Sequence, residues 1–192
     1  GSFFEKGTIS RQGRRSDLES IRGLIDEGKD DEYIADNHFS QWCVYRRSFT
    51  AYRSLKSVRR SWKTKLVIIT GPTGTGKTRY AHDKAGDQEL WNWGGDRWFD
   101  GYKGQPVALF DDVRSGAIPD FSLFLRLTDR YAMQVPVKGS FVEWIPRTIY
   151  VTSNQTPDEW YPLMQREQLE PLLRRIDERV DASNPLYADI VL

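Results

Sequence analysis

The sequence predicts an α/β domain, a parallel β-sheet flanked by helices, preceded by a small all-helical module. Three observations carry this: short apolar strands alternating with helical stretches from Leu66 onward, a glycine-rich loop between the first strand and the next helix, and helical spacing of the apolar residues in the first third. With 192 residues, of which 39% are hydrophobic and 13% aromatic, the chain can hold one full domain and a small second one, and it is too aromatic for disorder. The longest apolar runs, such as Leu66–Ile69 and Val107–Phe110, stop at four residues, far below the roughly 20 that span a bilayer. No membrane role is expected.

Taken in order, Gly1-Ser2 reads as the residue of a cleaved tag, so residues 1–15 are expected to be scar and linker, and the chain a piece of something longer. Ser16 with Glu19 forms a capping box, after which Leu18, Ile21, Leu24 and Ile25 follow at helical spacing until Gly28. A second helix runs through Tyr33 and Ile34, and a third carries Trp42, Tyr45, Phe49, Tyr52 and Leu55 on one stripe. This gives a helical domain over 16–60, with Ser57–Lys65 as linker region and a larger domain over 61–192. There, Leu66–Thr70 is the first strand, Thr78–Ala85 a helix, Val107–Phe110 a buried strand and Asp120–Tyr131 a helix with Phe121, Phe124, Leu125 and Leu127 inward. Val135–Val137 and Phe141–Trp144 flank Lys138-Gly139-Ser140 as a hairpin that Pro136 places at an edge or outside the sheet. Thr148–Thr152 is a further strand, and the segment opened by Pro157 becomes helical around Leu169–Ile176.

The formal charge is +1, which gives no reason to expect a polyanion, but its distribution does. Between Val44 and Lys65 lie eight basic residues (Arg46, Arg47, Arg53, Lys56, Arg59, Arg60, Lys63, Lys65) and no acidic one, leaving 20 basic against 27 acidic elsewhere. The single cysteine, Cys43, excludes an internal disulfide and suits a reducing compartment; His38 and His82 form no spaced metal motif.

The strongest signal is Gly71-Pro72-Thr73-Gly74-Thr75-Gly76-Lys77-Thr78, a phosphate loop in the required strand–loop–helix setting. Its glycines let backbone N–H groups turn in around a phosphate, and the following helix adds positive potential. Lys77 is expected on the β- and γ-phosphates and the Thr78 hydroxyl on Mg²⁺. This makes the domain a P-loop NTPase. Asp111-Asp112 ends the strand Val107–Phe110, where carboxylates reach the loop. Asp111 is expected to hold Mg²⁺, directly or through water, and Asp112 to orient or deprotonate the attacking water. Asn154, ending a third strand, is a candidate sensor of the γ-phosphate, and Arg174-Arg175 a candidate arginine finger or else a solvated basic pair. Lys138 on a projecting turn suits a phosphodiester backbone, met as a point charge.

In this order, phosphate loop, Asp-Asp strand, Lys-Gly hairpin and Ser-Asn strand end resemble a superfamily 3 helicase. Further stretches resemble one group, the replication-initiator (Rep) proteins of circular single-stranded DNA viruses, circovirus-like ones in particular: Gln12–Leu18, Trp98-Phe99-Asp100-Gly101-Tyr102, Asp129-Arg130-Tyr131, and Thr152-Ser153-Asn154-Gln155-Thr156-Pro157 with Glu159-Trp160. The resemblance implies an AAA+-like ATPase domain behind a helical oligomerisation collar. It further implies an ATP- and Mg²⁺-dependent helicase on single-stranded DNA in viral rolling-circle replication. The active form would be a homo-oligomeric ring, a hexamer, with ATP between subunits, 3′-to-5′ movement and a nuclear location in the host. By position, Lys138 and Gly139 fall on the DNA hairpin, Asn154 on the sensor, and Arg175, with Arg174 as the alternate, on the finger. Two departures stand out: Ser140 where the family often has a second glycine, and no His-rich metal motif of an upstream nicking domain. Phe3-Phe4-Glu5-Lys6 resembles that domain's Tyr-x-x-Lys tail with Phe3 in the tyrosine's place, so this chain is not expected to nick DNA. An RNA-directed superfamily 3 helicase, a P-loop small-molecule kinase and a nucleotide-bound scaffold are the alternatives. The kinase would not need the Lys138 hairpin.

Overall fold

The computed structural model describes residues 16–183; Gly1-Ser2, Phe3–Lys6 and Gln12–Arg15 lie outside them. The chain divides into two compact units, 1–56 and 57–192.

The first unit holds α1 (Ser16–Asp26), α2 (Asp31–Asn37) and α3 (Phe39–Lys56). Asp30 caps α2 by accepting from the Tyr33 N–H at 2.8 Å. Ile21, Ile25, Ile34 and Phe49 form the core, with Leu18, Leu24, Trp42, Tyr45 and Tyr52 packed around it. Leu55, expected on the same stripe, is instead 79% exposed, in the last turn of α3.

The second unit is built on a five-stranded, all-parallel sheet ordered β2-β3-β6-β1-β7. Its strands are β1 (Lys65–Thr70), β2 (Leu90–Asn92), β3 (Val107–Val113), β6 (Thr148–Ser153) and β7 (Ile176–Asp181). The hairpin β4 (Gln134–Val137) and β5 (Ser140–Glu143) pairs with itself as a separate antiparallel sheet, as Pro136 required. Alternate residues of the central strands feed opposite cores. Leu66, Ile68, Phe110, Ile149 and Val151 pack with Trp91, Phe99, Tyr102, Phe124, Trp144 and Trp160 on one side. Val67, Ile69, Val107, Leu109 and Tyr150 pack with Tyr80, Ala81 and Ala85 of α4 (Lys77–Ala85) on the other.

Four elements differ from expectation. The helix α5 (Phe121–Leu127) ends four residues early. The buried Arg60 guanidinium takes the carbonyls of Arg126, Leu127 and Tyr131, which a continuing helix would have used. Arg60 and Thr64, read as linker, are therefore interior residues at 2% and 0% exposure. The strands β2 and β7 had no strand signal, one being three residues long and the other, Ile176-Asp177-Glu178-Arg179-Val180-Asp181, mostly charged. That charge suits an edge strand. The helix expected to run to Ile176 is α7 (Arg166–Leu173), following the short α6 (Pro157–Trp160), and Ile176 opens β7.

The basic band falls in both units and is largely engaged within each. Arg53 pairs with Asp31, Lys56 with Asp26, Lys63 with Asp177 and Lys65 with Glu178, while Arg46 lies over the Trp42 ring. Among the described residues, no helix is long and apolar enough to cross a membrane.

Candidate functional site

Parallel strands end on one edge of the sheet, and inserting β6 between β1 and β3 brings three strand ends together there. The loop 71–76 leaves β1, with Gly74 at φ 84° and Gly76 at φ 80° opening α4. Only glycine takes these angles without strain. Gly71 is glycine for a second reason: a Cβ there would stand 2.9 Å from the Ala182 Cβ.

Lys77 Nζ donates to the Gly71 and Pro72 carbonyls at 2.9 and 2.7 Å and to Asn154 Oδ1 at 2.8 Å. Asn154 Nδ2 reaches back to Thr73 Oγ1 at 3.2 Å, joining the end of β6 to the loop. Lys77 is only 8% exposed, and this burial lowers its pKa against the opposing pull of Asp112 and Asp111.

At the end of β3 the ladder bulges between Phe110 and Val113, so Asp111 and Asp112 face Thr152 alone on β6. Asp112 has φ 50°, the single positive-φ residue other than glycine among those described. The bulge divides the two carboxylates. Asp111 Oδ1 accepts from Thr78 Oγ1 at 2.8 Å and from Thr152 Oγ1 at 2.6 Å. Asp112 is left open to the cavity, its side chain 63% exposed and 4.0 Å from Arg114 Nη1. The phosphate loop, both aspartates, Arg114, Thr152 and Asn154 line one cavity of about 690 Å³.

The donor set fits Mg²⁺. One hydroxyl and one carboxylate stand together, and no group of three His, Cys, Asp or Glu residues able to hold a metal occurs among the described residues. An ion here would lean on Thr78, Asp111, phosphate oxygens and water, which is how Mg²⁺ prefers to bind.

The RNA helicase family matches residues 67–155, the stretch from β1 to just past the end of β6. Replication-associated proteins match nearly the whole chain: 39% identity with that of pigeon circovirus over 88% of this chain and 52% of that protein. For porcine circovirus 2 the figures are 37%, 93% and 57%, and for beak and feather disease virus 35%, 88% and 56%. The chain is a homologue of circovirus replication-associated proteins. It spans about half the length of these curated relatives. Among solved structures, the S. cerevisiae Hsp104–ADP complex aligns at a TM-score of 0.41 and 16% identity, over 88% of this chain and 36% of that one.

In this chain the Thr152–Trp160 stretch has a structural task for nearly every residue. Thr152 Oγ1 accepts from the Asp112 N–H at 2.8 Å while donating to Asp111. Ser153 Oγ donates to the Val113 carbonyl at 2.6 Å and accepts from the Trp160 indole at 3.0 Å. Gln155 Oε1 takes the Ser115 N–H at 2.8 Å. Thr156 and Glu159 form a capping box on α6, with Pro157 in its first turn. The stretch thus holds Asn154, the bulge and the loop after β3 in one register. Reading the sequence missed Thr152 and Arg114 as site residues. A threonine inside a strand looks like any β-branched core residue, and Arg114 carries no motif.

The other candidates stand apart from this cavity. Arg175 donates to the Pro171 carbonyl at 2.7 Å and pairs with Asp129 at 2.9 Å, so its partners are in its own chain. Arg174 beside it is exposed. Lys138 and Gly139 form the tip of the β4–β5 hairpin, Gly139 at φ 85° with open space around it.

Proposed function

We propose that the chain is the motor portion of a replication protein, an ATP-dependent helicase or translocase on single-stranded DNA. The convergence of Lys77, Asp111, Asp112 and Asn154 at one sheet edge carries the ATPase reading. The replication-associated relatives support a role in replication, and the resemblance to Rep proteins of single-stranded DNA viruses makes DNA the track.

In this mechanism the loop 71–76 holds the phosphates with its N–H groups and Lys77 neutralises the β- and γ-oxygens. Thr78 and Asp111 would hold Mg²⁺, which would supply further neutralisation of phosphate charge. Asp112, open to the cavity, accepts a proton from the water that attacks the γ-phosphorus, and the bond to the β-bridging oxygen breaks. Asn154 positions that water and links it to Lys77. The developing charge calls for a finger from the next subunit of a ring, a hexamer by resemblance. Of the two arginines, the exposed Arg174 is the better placed to reach a neighbour, while Arg175 is occupied by Asp129. Lys138 meets the strand backbone in the channel.

ATP hydrolysis measured with and without single-stranded DNA tests this, together with unwinding of a tailed duplex. Hydrolysis is expected to rise with DNA, and Lys138→Ala to remove the rise. The matched family is described as an RNA helicase, so RNA of the same sequence is the necessary second arm. Stimulation by RNA alone would replace the DNA reading.

A further inference from the structure

The Trp98–Tyr102 stretch lies outside the nucleotide cavity and takes no part in hydrolysis. Its aromatic residues anchor a turn. Phe99 and Tyr102 are buried at 0% and 2% exposure, and Tyr102 N–H closes the turn on the Phe99 carbonyl at 3.1 Å, with Gly101 at φ 79°. The Trp91 indole fixes the Asp100 carbonyl at 2.9 Å, and Phe99 N–H bonds the Pro136 carbonyl of β4 at 2.9 Å. The Asp100 carboxylate is thereby held against the hairpin tip. Its Oδ1 accepts the Lys138 N–H at 2.8 Å, and its Oδ2 stands 3.1 Å from Lys138 Nζ. The lysine side chain remains 74% exposed.

We propose that Asp100 is a positioning residue of the nucleic-acid hairpin, occupying Lys138 as a stand-in for the backbone phosphate that later replaces it. One oxygen orders the tip through the backbone; the other competes with phosphate for the ammonium. The two functions are separable, because an amide keeps the backbone acceptor and loses the charge. The Lys138 N–H bond, and then the ammonium, keep the Asp100 carboxyl below its ordinary pKa. This inference rests on the hairpin reading of Lys138.

The test is binding of a fluorescent oligothymidine to the full chain, with Asp100→Asn, Asp100→Ala, Lys138→Ala and the double variant Asp100→Asn/Lys138→Ala. Asp100→Asn is expected to tighten binding about two- to fivefold, the scale of an exposed ion pair. The gain should vanish in the Lys138→Ala background, a coupling that a purely structural Asp100 would not show. Asp100→Ala, which also frees the tip, should reduce DNA-stimulated hydrolysis where Asp100→Asn does not. Unchanged or weaker binding by Asp100→Asn, with Lys138→Ala impaired, overturns the inference alone. Unimpaired binding by Lys138→Ala overturns the hairpin reading and the inference with it.

Discussion

Thr152 of β6 serves two residues of β3 through one hydroxyl: it donates to Asp111 Oδ1 at 2.6 Å and accepts the Asp112 N–H at 2.8 Å across the bulge. Valine has the same shape and neither capacity. With Thr152→Val, Asp111 keeps Thr78 as its partner but loses its second donor, and the Asp112 N–H loses its acceptor. Mg²⁺-dependent hydrolysis is expected to fall about 10–100-fold, the usual effect of removing a supporting hydrogen bond behind a metal-site carboxylate. Thr152→Ser should retain most activity. Phosphate release titrated with Mg²⁺ decides this, and equal activity of the valine variant would sink the assigned role. At this scale the sequence was readable where chemistry narrows the choice of residue: Lys77 meets Asn154 and Thr78 meets Asp111 at one sheet edge, and all four were singled out from the sequence. It was silent where a common residue acts through a distant partner. Thr152 stands 41 residues from Asp111, and Asp100 38 from Lys138.

The helix α5 and the hairpin after it depend on a residue far upstream. Arg60, pushed down to about 10 in pKa by burial yet charged at neutral pH, spreads its fork over the carbonyls of Arg126, Leu127 and Tyr131 and over Thr64 Oγ1. A cation at a helix C-terminus is favourable in itself; here it also fixes where the chain turns toward β4. Replacing it with leucine removes both donations to the Tyr131 carbonyl and leaves the Leu127 carbonyl only the Trp144 indole and the Arg126 carbonyl only backbone N–H groups. Arg60→Leu should lower the stability of the second unit by about 2–4 kcal/mol, against less than about 0.5 kcal/mol for Arg59→Ala, read from urea unfolding. Similar values for the two variants would refute the tie. Strands with apolar runs (β1, β3, β6) were legible because burial on both faces writes itself into the sequence. Arg60 and β7 were not, because an isolated basic residue and an alternating charged segment both look like solvated surface until their partners are placed.

For the whole molecule, the charge of +1 conceals neither a free basic face nor its absence. The basic band is largely spent on ion pairs inside each unit, with Arg60 in the interior. On the proposed function, a track-binding surface would then come from a few residues repeated around a ring, such as Lys138. A ring also needs one subunit to complete the next subunit's site. Asp129 illustrates why Arg175 is poorly suited to that task. Burial works to raise the Asp129 carboxyl, but the Arg130 N–H and the Arg175 pair outweigh it and keep it low, so the pair is intact at neutral pH. The exposed Arg174 has no such tie among the described residues. Complementation separates a trans-acting finger from an intrachain one. Arg174→Ala and Lys77→Ala subunits are each expected to hydrolyse almost no ATP alone. Mixed in equal amounts, about a quarter of interfaces should pair an intact Lys77 with an intact Arg174 from the neighbour, if assembly is random and head-to-tail. Activity should therefore reappear on mixing, and Arg175→Ala in place of Arg174→Ala should behave as a stability variant with residual activity of its own. No recovery with the Arg174→Ala mixture, alongside recovery with Arg175→Ala, would return the finger to Arg175; no recovery with either would place hydrolysis within a single subunit.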